Sequence, residues 1–208
     1  KLVDTAHAHG IRVLLDVVMN HTGPVTATDP VWPADWVRTG PKCTYKDAKT
    51  TIECTLVENL PDILTESDAA VGLPPHLAAK WKKEGRYERE VAELDQFFKR
   101  TGYPRAPRYY LMKWHADWVR KYGFDGFRAD TVKHTEAGLW KELKTVASEA
   151  YEDWKRANPS KKPGDDKFYM TAEVYHYGIG HGDRFDNGGK VIDYFDNGFD
   201  SMINFQAK

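Results

Sequence analysis

The residues with the clearest chemical potential lie in the run 123–134, which reads GFDGFRADTVKH. Arg128 and Asp130 are two residues apart, so their side chains project to the same face if this run is a strand. A neighbouring arginine keeps a carboxylate ionised, and an ionised, positioned carboxylate at a strand end can serve as the nucleophile of a covalent glycosidase. A purely structural Arg–Asp pair explains the same spacing. The sequence on either side of this run is needed to distinguish the catalytic interpretation of the pair from the structural one.

Polar residues collect at the ends of three expected strands. The first strand ends in DVVMNH at 16–21, the second in RAD at 128–130, and the third at Glu173. Functional sites of parallel βα folds lie at the C-terminal ends of the strands. We therefore expect two carboxylates, two histidines, an arginine and an amide on one rim: Asp130, Glu173, His21, His134, Arg128 and Asn20.

Helical periodicity predicts three helices that position these strands. Residues 1–9 read as the end of one helix, closed by Gly10. A second helix begins at Arg108 and ends at Gly123. Its predicted buried face comprises Leu111, Trp114, Trp118 and Tyr122. A third helix follows, with Thr135 as its N-cap. Its predicted buried stripe comprises Leu139, Leu143, Val146, Ala150 and Trp154.

Apolar runs predict four strands, at 11–19, 124–131, 168–175 and 201–205. The first is apolar apart from Arg12 and Asp16, which is typical of a parallel strand buried on both faces. Strands that alternate with helices form parallel βα units with right-handed crossovers. The sequence therefore predicts an α/β fold with a parallel sheet.

Residues 22–107 differ from the rest of the chain. They contain most of the prolines and both cysteines, and their periodicity is weak. Because the segment is too long for a simple loop, we interpret it as an inserted subdomain. A hairpin spanning 44–53 could join Cys43 and Cys54 in a disulfide, which suits an exported protein. Two free thiols in a cytosolic enzyme are the alternative.

Composition excludes several classes of function. The chain has 208 residues, 41% of them hydrophobic, and a net charge of -1, enough for one domain or somewhat more. The near-neutral charge favours neither nucleic acid nor an anionic membrane surface as a partner. No apolar run is long enough to span a membrane. Because the chain begins at Lys1 and both ends read as cut elements, we expect a segment of a larger protein.

Several motifs in this order resemble the α-amylase family of glycoside hydrolases, and the resemblance covers nearly the whole chain. The matching stretches are 16–21, 60–63, 126–134 and Glu173. A closer resemblance, to the bacterial periplasmic branch of that family, rests on 60–67, 72–74 and 199–205.

The resemblance implies a fold and an activity. It implies a partial (β/α)8 TIM barrel built from 1–21 and 108–208, which supply barrel strands three to six. The family's small inserted domain then corresponds to 22–107, after strand three. The implied activity is retaining hydrolysis of α-1,4-glucosidic bonds in starch or maltodextrins, so the implied partner is an α-glucan. The implied location is periplasmic or secreted.

The resemblance also implies roles for individual residues. Asp130 matches the catalytic nucleophile and Glu173 the general acid/base, whose apolar and aromatic neighbours would raise its pKa. A retaining pair of carboxyl groups lies about 5–5.5 Å apart. The implied substrate-binding residues are His21, Arg128, Lys133 and His134. Asp16 is assigned a structural role.

A calcium site is implied in the same way. Asn20 and Asp62 match its side-chain ligands, and the backbone carbonyl of His134 matches a third. Such mixed oxygen donors suit a hard cation such as Ca²⁺. The alternative is that Asn20 caps a turn and that Asp62 merely follows Pro61 in a loop.

Two further readings stay open. A transglycosylase or a trehalose-forming isomerase of the same family would use the same residues with a sugar in place of water. A non-catalytic, transporter-associated member would lack the acid pair, and the presence of both Asp130 and Glu173 argues against it. The family's third carboxylate follows barrel strand seven, outside these residues, so we expect little activity from the segment alone.

Overall fold

The computed structural model describes residues 1–23, 25–161, 164 and 166–207. Its helices are α1 (Leu2–Ala8), α2 (Lys49–Ile52), α3 (Pro75–Lys83), α4 (Tyr87–Thr101), α5 (Pro107–Tyr122) and α6 (Ala137–Ala157). Its strands are β1 (Leu14–Val18), β2 (Val37–Arg38), β3 (Asp62–Ile63), β4 (Gly126–Asp130), β5 (Tyr169–Ala172), β6 (Arg184–Asn187), β7 (Lys190–Asp193) and β8 (Ser201–Met202). Within these ranges, no helix is both long and apolar enough to cross a bilayer.

The centre of the fold is a parallel sheet with the strand order β1-β4-β5-β8. Its register places Val18 beside Asp130 and Ala129 beside Ala172. The strands therefore end at the same edge, and Glu173 follows directly after β5 at the level of Asp130. The predicted α/β fold with a parallel sheet is confirmed. Among the described residues this sheet is open and does not close into a barrel.

The prediction that the first strand is buried on both faces is wrong. Val17 and Met19 are buried, whereas Leu14 is 39% exposed and the Asp16 side chain 65% exposed. Alternate residues of a strand face opposite sides of the sheet. Helices cover only the side that carries Val17 and Met19, so the other side of β1 remains open within the described part of the chain.

Helices α5 and α6 pack against each other and against the sheet. The predicted stripe of α6 is confirmed, since Leu139, Leu143, Val146, Ala150 and Trp154 are all buried. The predicted face of α5 is wrong, because Trp118 is 51% exposed and Tyr122 40%. The buried face of α5 instead contains Tyr109, Met112, Ala116 and Val119. Its small residues Ala116 and Val119 allow the helix backbone to approach the sheet closely.

The helix ends agree with the sequence at two glycines and differ at one cap. Gly10 and Gly123 follow α1 and α5 with a φ of +73° each, in the left-handed region that glycine tolerates. Thr135 is not the N-cap of α6, which begins after Glu136. The Thr135 hydroxyl instead donates to the carbonyl of Val132 at 3.3 Å. It closes the short 3₁₀ turn Val132–His134.

Residues of the 22–107 segment share one hydrophobic core with the sheet and its helices. Tyr110 of α5 links the two parts, because its ring centroid lies 5.1 Å from that of Trp36 and 4.9 Å from that of Phe98. The Tyr110 hydroxyl donates to the carbonyl of Val71 at 3.1 Å. Cys43 and Cys54 are joined in a disulfide, which closes the loop that contains α2.

A buried carboxylate anchors the N-terminal end of β4. Asp125 is 4% exposed and accepts hydrogen bonds from three groups. His7 Nε2 donates to it at 2.9 Å, the backbone N–H of Val13 at 2.7 Å, and the Tyr151 hydroxyl at 3.0 Å. These donors belong to α1, to the start of β1 and to α6, so Asp125 ties three elements to the sheet.

Replacing Asp125 with Ala should lower the free energy of unfolding by about 3 kcal/mol, because three buried donors lose their acceptor. Urea denaturation monitored by tryptophan fluorescence measures this change. Asp153→Ala is the matched control, since Asp153 pairs with Arg120 at 3.1 Å on the surface, and it should cost under about 1 kcal/mol. Equal losses in the two variants would contradict the anchoring role.

Candidate active site

One guanidinium group holds two carboxyl groups at the C-terminal edge of the sheet. Arg128 Nη1 donates to Asp130 Oδ1 at 2.7 Å, and Arg128 Nη2 lies 3.1 Å from Glu173 Oε2. Asp130 and Glu173 therefore converge on the same guanidinium from the ends of neighbouring strands.

The environment pushes the pKa values of the two carboxyl groups apart. Burial raises the pKa of Glu173, and its hydrogen bond to Asp130 raises it further. Burial also acts to raise the pKa of Asp130, but hydrogen bonds from Glu173 and Arg128 outweigh it, so this pKa is lowered. As the pH rises, Asp130 therefore ionises before Glu173, and Glu173 keeps its proton to the higher pH. A nucleophile has to be ionised and a general acid has to be protonated, so the directions of the two shifts suit these two roles.

Thr131 positions Glu173, and sequence reasoning missed it. Its backbone N–H donates to Glu173 Oε2 at 3.2 Å, and the next N–H, of Val132, donates to the carbonyl of Glu173 at 3.0 Å. Thr131 has a φ of +49°, which is rare for a β-branched residue. This left-handed conformation turns the chain at the end of β4 and directs two donors at the Glu173 residue.

Asp16 and His21 complete the carboxylate edge. Asp16 accepts from Arg128 Nη1 at 3.2 and 3.3 Å, so Asp16 and Asp130 orient the guanidinium between them. Burial lowers the pKa of His21, although the charge of Asp130 opposes this effect. The imidazole is therefore neutral near pH 7. It lies close enough to Asp130 for the negative charge of Asp130 to affect the pKa of His21.

A cavity of about 690 Å³ opens beside Glu173. Its residues come from the strand ends, from the disulfide-closed loop 43–54 and from the β6–β7 hairpin: Thr131, Lys133, His134, Glu173, Tyr175, His176, Tyr45, Thr51, Leu56 and 185–188. Asp130 and His21 are outside this lining. The cavity therefore extends from the Glu173 side of the carboxyl pair.

Lys133 and His134 are held in different ways within this cavity. Lys133 Nζ donates to the carbonyl of Tyr175 at 3.2 Å and lies 5.4 and 5.9 Å from the ring centroids of Tyr175 and Tyr45. Burial lowers the pKa of Lys133. The His134 ring is buried, and its Nδ1–H donates to the carbonyl of Thr51 at 3.0 Å. Burial lowers the pKa of His134 to about 4, so the ring is neutral.

Asn20 and Asp62 meet at a different place, where the end of β1 pairs with β3. Both are almost fully buried, and the N–H of Ile63 donates to the carbonyl of Asn20 at 2.7 Å. Burial raises the pKa of Asp62 to about 7. Among the described residues, the N–H of Leu56 at 3.5 Å, the charge of Arg38 and the Asn20 amide oppose this effect without outweighing it. A buried carboxylate with so little compensation fits a site for a cation.

Within the described residues, no three His, Cys, Asp or Glu side chains cluster as a metal site. The fit at Asn20 and Asp62 therefore depends on amide and backbone oxygens besides the single carboxylate. Thr55, beside Leu56, adds a buried hydroxyl with no hydrogen-bond partner among the described residues. Hard cations such as Ca²⁺ accept oxygen donors of this mixed kind.

Comparison with known proteins identifies relatives of this chain. No family model matches the chain. The chain is 34% identical to the periplasmic alpha-amylase of Escherichia coli strain K12 over an alignment of 255 positions, gaps included, which covers 98% of this chain and 34% of that protein. It is 30% identical to a cyclomaltodextrinase of a Bacillus species over 176 residues, which cover 85% of this chain and 24% of that protein.

The fold has solved relatives as well. The α-amylase of Geobacillus thermoleovorans, crystallised in complex with acarbose, superposes with a TM-score of 0.58 at 20% identity. The match covers 98% of this chain and 33% of that one. An Anoxybacillus α-amylase gives the same TM-score, identity and coverage of this chain.

The parallel sheet and these relatives together define an α-amylase-like glycosidase. The chain belongs to the α-amylase family of glycoside hydrolases. It spans about a third of the length of the E. coli relative and about a quarter of the Bacillus one.

The opposed pKa shifts predict a split titration. Carboxyl-carbon NMR on the protein should show Asp130 titrating below the ordinary aspartate range and Glu173 above the ordinary glutamate range. Arg128→Met should raise the pKa of Asp130, because the charge-assisted hydrogen bond is lost. Arg120→Met, on the surface of α5, serves as the control and should leave both titrations unchanged. Two unshifted titrations in the parent protein would contradict the assignment.

Proposed function

We propose that the protein hydrolyses α-1,4-glucosidic bonds of starch or maltodextrins with retention of configuration. The observation that carries this proposal is the Asp130–Glu173 pair on one guanidinium, with pKa values shifted in opposite directions. Membership of the α-amylase family supports the choice of an α-glucan as substrate. The acarbose complex of the Geobacillus relative supports it as well.

In the first step, a carboxylate oxygen of Asp130 attacks the anomeric carbon of the bound sugar. Glu173 donates its proton to the glycosidic oxygen as the bond between that oxygen and the anomeric carbon breaks. The leaving sugar departs with the proton, and a covalent glycosyl ester remains on Asp130. Arg128, which Asp16 helps to orient, holds the Asp130 carboxyl group in place during this step.

In the second step, Glu173 is ionised and acts as a general base. It removes a proton from a water molecule, whose oxygen attacks the anomeric carbon and releases Asp130. Two inversions give net retention, and both carboxyl groups return to their starting protonation states. The backbone N–H of Thr131 stays on Glu173 in either state, since it can donate to a neutral or an ionised carboxyl group.

We assign the supporting residues according to the side of the pair on which they lie. His21, close to the charge of Asp130, serves the sugar that is attacked. Lys133 and His134 line the cavity beside Glu173 and serve the leaving group. We further assign β1, β4, β5 and β8 to barrel strands three to six, formed by 1–21 and 108–208. Residues 22–107 are assigned as the inserted domain.

We also propose that the protein binds Ca²⁺ at Asn20 and Asp62, together with the backbone carbonyl of His134. Bound there, the ion would supply the positive charge that balances the buried Asp62 carboxylate. It would also join the 22–107 segment to the end of β1. Its contribution is structural, and the carboxyl pair carries the chemistry.

The proposed location is the periplasm or the exterior of the cell. The Cys43–Cys54 disulfide supports it, because disulfides persist in oxidising compartments. The E. coli relative, which is described as periplasmic, agrees with this assignment.

Asp130→Asn should reduce turnover of maltodextrin by at least about a thousandfold, because the amide cannot form the covalent ester. The assay measures release of reducing ends by the complete protein that carries these residues. Asp95→Asn is the matched control and should leave turnover unchanged. Asp95 is an exposed residue of α4 that pairs with Arg105. Turnover of Asp130→Asn within a few-fold of the parent protein would remove Asp130 as nucleophile.

Calcium removal should loosen the 22–107 segment. With a chelator above about pH 7, Asp62 is ionised and uncompensated, so limited proteolysis should produce new cuts between residues 22 and 107. Asp62→Asn should abolish this dependence on the chelator, because the variant has no buried charge to neutralise. Unchanged protease resistance of the parent protein after chelation would argue against a structural ion.

A further inference from the structure

The β6–β7 hairpin lines the cavity beside Glu173. Its two-residue turn consists of Gly188 and Gly189, with φ values of +62° and +84°. Positive φ at both central residues is typical of a tight type I′ turn. Phe185 and Ile192 are buried and pair across the two strands, so they anchor the hairpin to the hydrophobic core while its tip projects to the cavity.

The hairpin tip contacts two other walls of the cavity. Asn187 is 4% exposed, and its Nδ2 donates to the carbonyl of Lys133 at 2.9 Å. Gly188 packs against the backbone of Asp47, so closely that a Cβ atom on Gly188 would lie 2.5 Å from Asp47 Cα. Asp47 belongs to the disulfide-closed loop 43–54. The tip therefore spans the space between the strand end and this loop.

The cavity lies where a leaving group would go. Glu173 lines it, whereas Asp130 and His21 do not. In retaining hydrolysis the general acid protonates the oxygen of the leaving group, so the sugars that depart lie on the side of the acid. This step rests on the proposed function. Its consequence is that the hairpin faces the reducing-end side of the cleaved chain.

We propose that the tip of the β6–β7 hairpin ends the leaving-group side of the cleft and restricts the leaving group to a short oligosaccharide. Glu173 and the hairpin residues Asn187 and Gly188 line the same cavity of about 690 Å³, so a chain that extends past Glu173 on this side meets the tip. Asn187 and Gly188 determine this length, because their contacts with Lys133 and Asp47 hold the tip across the cavity.

The experiment compares two glycines of the same turn. Gly188→Ala places a methyl group against the Asp47 backbone and must displace the tip or the loop. Gly189→Ala has a similar positive φ, but a Cβ atom there meets nothing within 4 Å. Backbone strain is thus common to both variants, and the steric contact is specific to Gly188→Ala.

The complete protein and its variants digest a maltodextrin labelled at its reducing end, and the labelled fragments are sized. The parent protein and Gly189→Ala should release mainly labelled glucose and maltose. Gly188→Ala should shift the label to longer fragments. Asn187→Ala, which loses the hydrogen bond to Lys133 without added volume, should shift it in the same direction, and it decides the question if Gly188→Ala fails to fold.

A nitrophenyl maltoside separates failure of this inference from failure of the proposed function. Because a nitrophenyl group is smaller than a sugar chain, Gly189→Ala should cleave this substrate at the parent rate. Cleavage of it by Gly188→Ala and Asn187→Ala shows that these variants fold and keep the carboxyl pair. Suppose that the parent protein cleaves the nitrophenyl maltoside but releases long labelled fragments from maltodextrin. That result would overturn the role of the hairpin, and so would a fragment distribution that neither Gly188→Ala nor Asn187→Ala changes. No cleavage of either substrate by the parent protein would instead overturn the proposed function.

Discussion

The guanidinium of Arg128 is the constraint on which the carboxylate edge depends. It contacts Asp16 within β1, Asp130 at the end of β4 and Glu173 directly after β5. Three acidic groups this close would repel one another if all were ionised without a cation. A single arginine stabilises the charge on Asp130, and burial together with the neighbouring Asp130 raises the pKa of Glu173. The two side chains are about equally exposed, at 22% and 23%, so the asymmetry comes from their different hydrogen-bond partners and not from burial.

The 22–107 segment contributes to the site because it shares a core with the sheet. Its aromatic residues pack on Tyr110 of α5, and its loop 43–54 supplies Tyr45 and Thr51 to the cavity. The Thr51 carbonyl accepts the hydrogen bond that orients His134. Elements that are far apart in the chain are therefore held together by packing at one end and by polar contacts at the other.

Much of the framework could be predicted from the sequence, because periodicity and strand order are local signals. Alternating elements predict parallel strands, and parallel strands place Asp130 and Glu173 at one edge. The buried stripe of α6 follows from its spacing in the same way. The buried face of α5 could not be predicted by hydrophobicity, because Trp118 and Tyr122 are exposed whereas the smaller Ala116 and Val119 are fully buried.

The parts that escaped prediction depend on contacts between distant residues. The β6–β7 hairpin lies in a stretch that reads as a polar loop, although its Gly188–Gly189 pair is a recognisable turn signal. Tyr45 reaches the cavity only because the disulfide-closed loop folds over the strand end. Thr131 adopts a left-handed backbone that no local preference favours, so only its neighbours in space can account for it.

Strand β4 lies between two aspartates with opposite environments. Asp125 precedes the strand, buried and fully bonded, whereas Asp130 ends it at the cavity edge. At about 3.3 Å per residue, the two carboxylates are roughly 17 Å apart along one stiff segment. Substitutions near Asp130 therefore need not weaken the contacts of Asp125, so the proposed chemistry and the stability of the fold depend on different ends of this short strand.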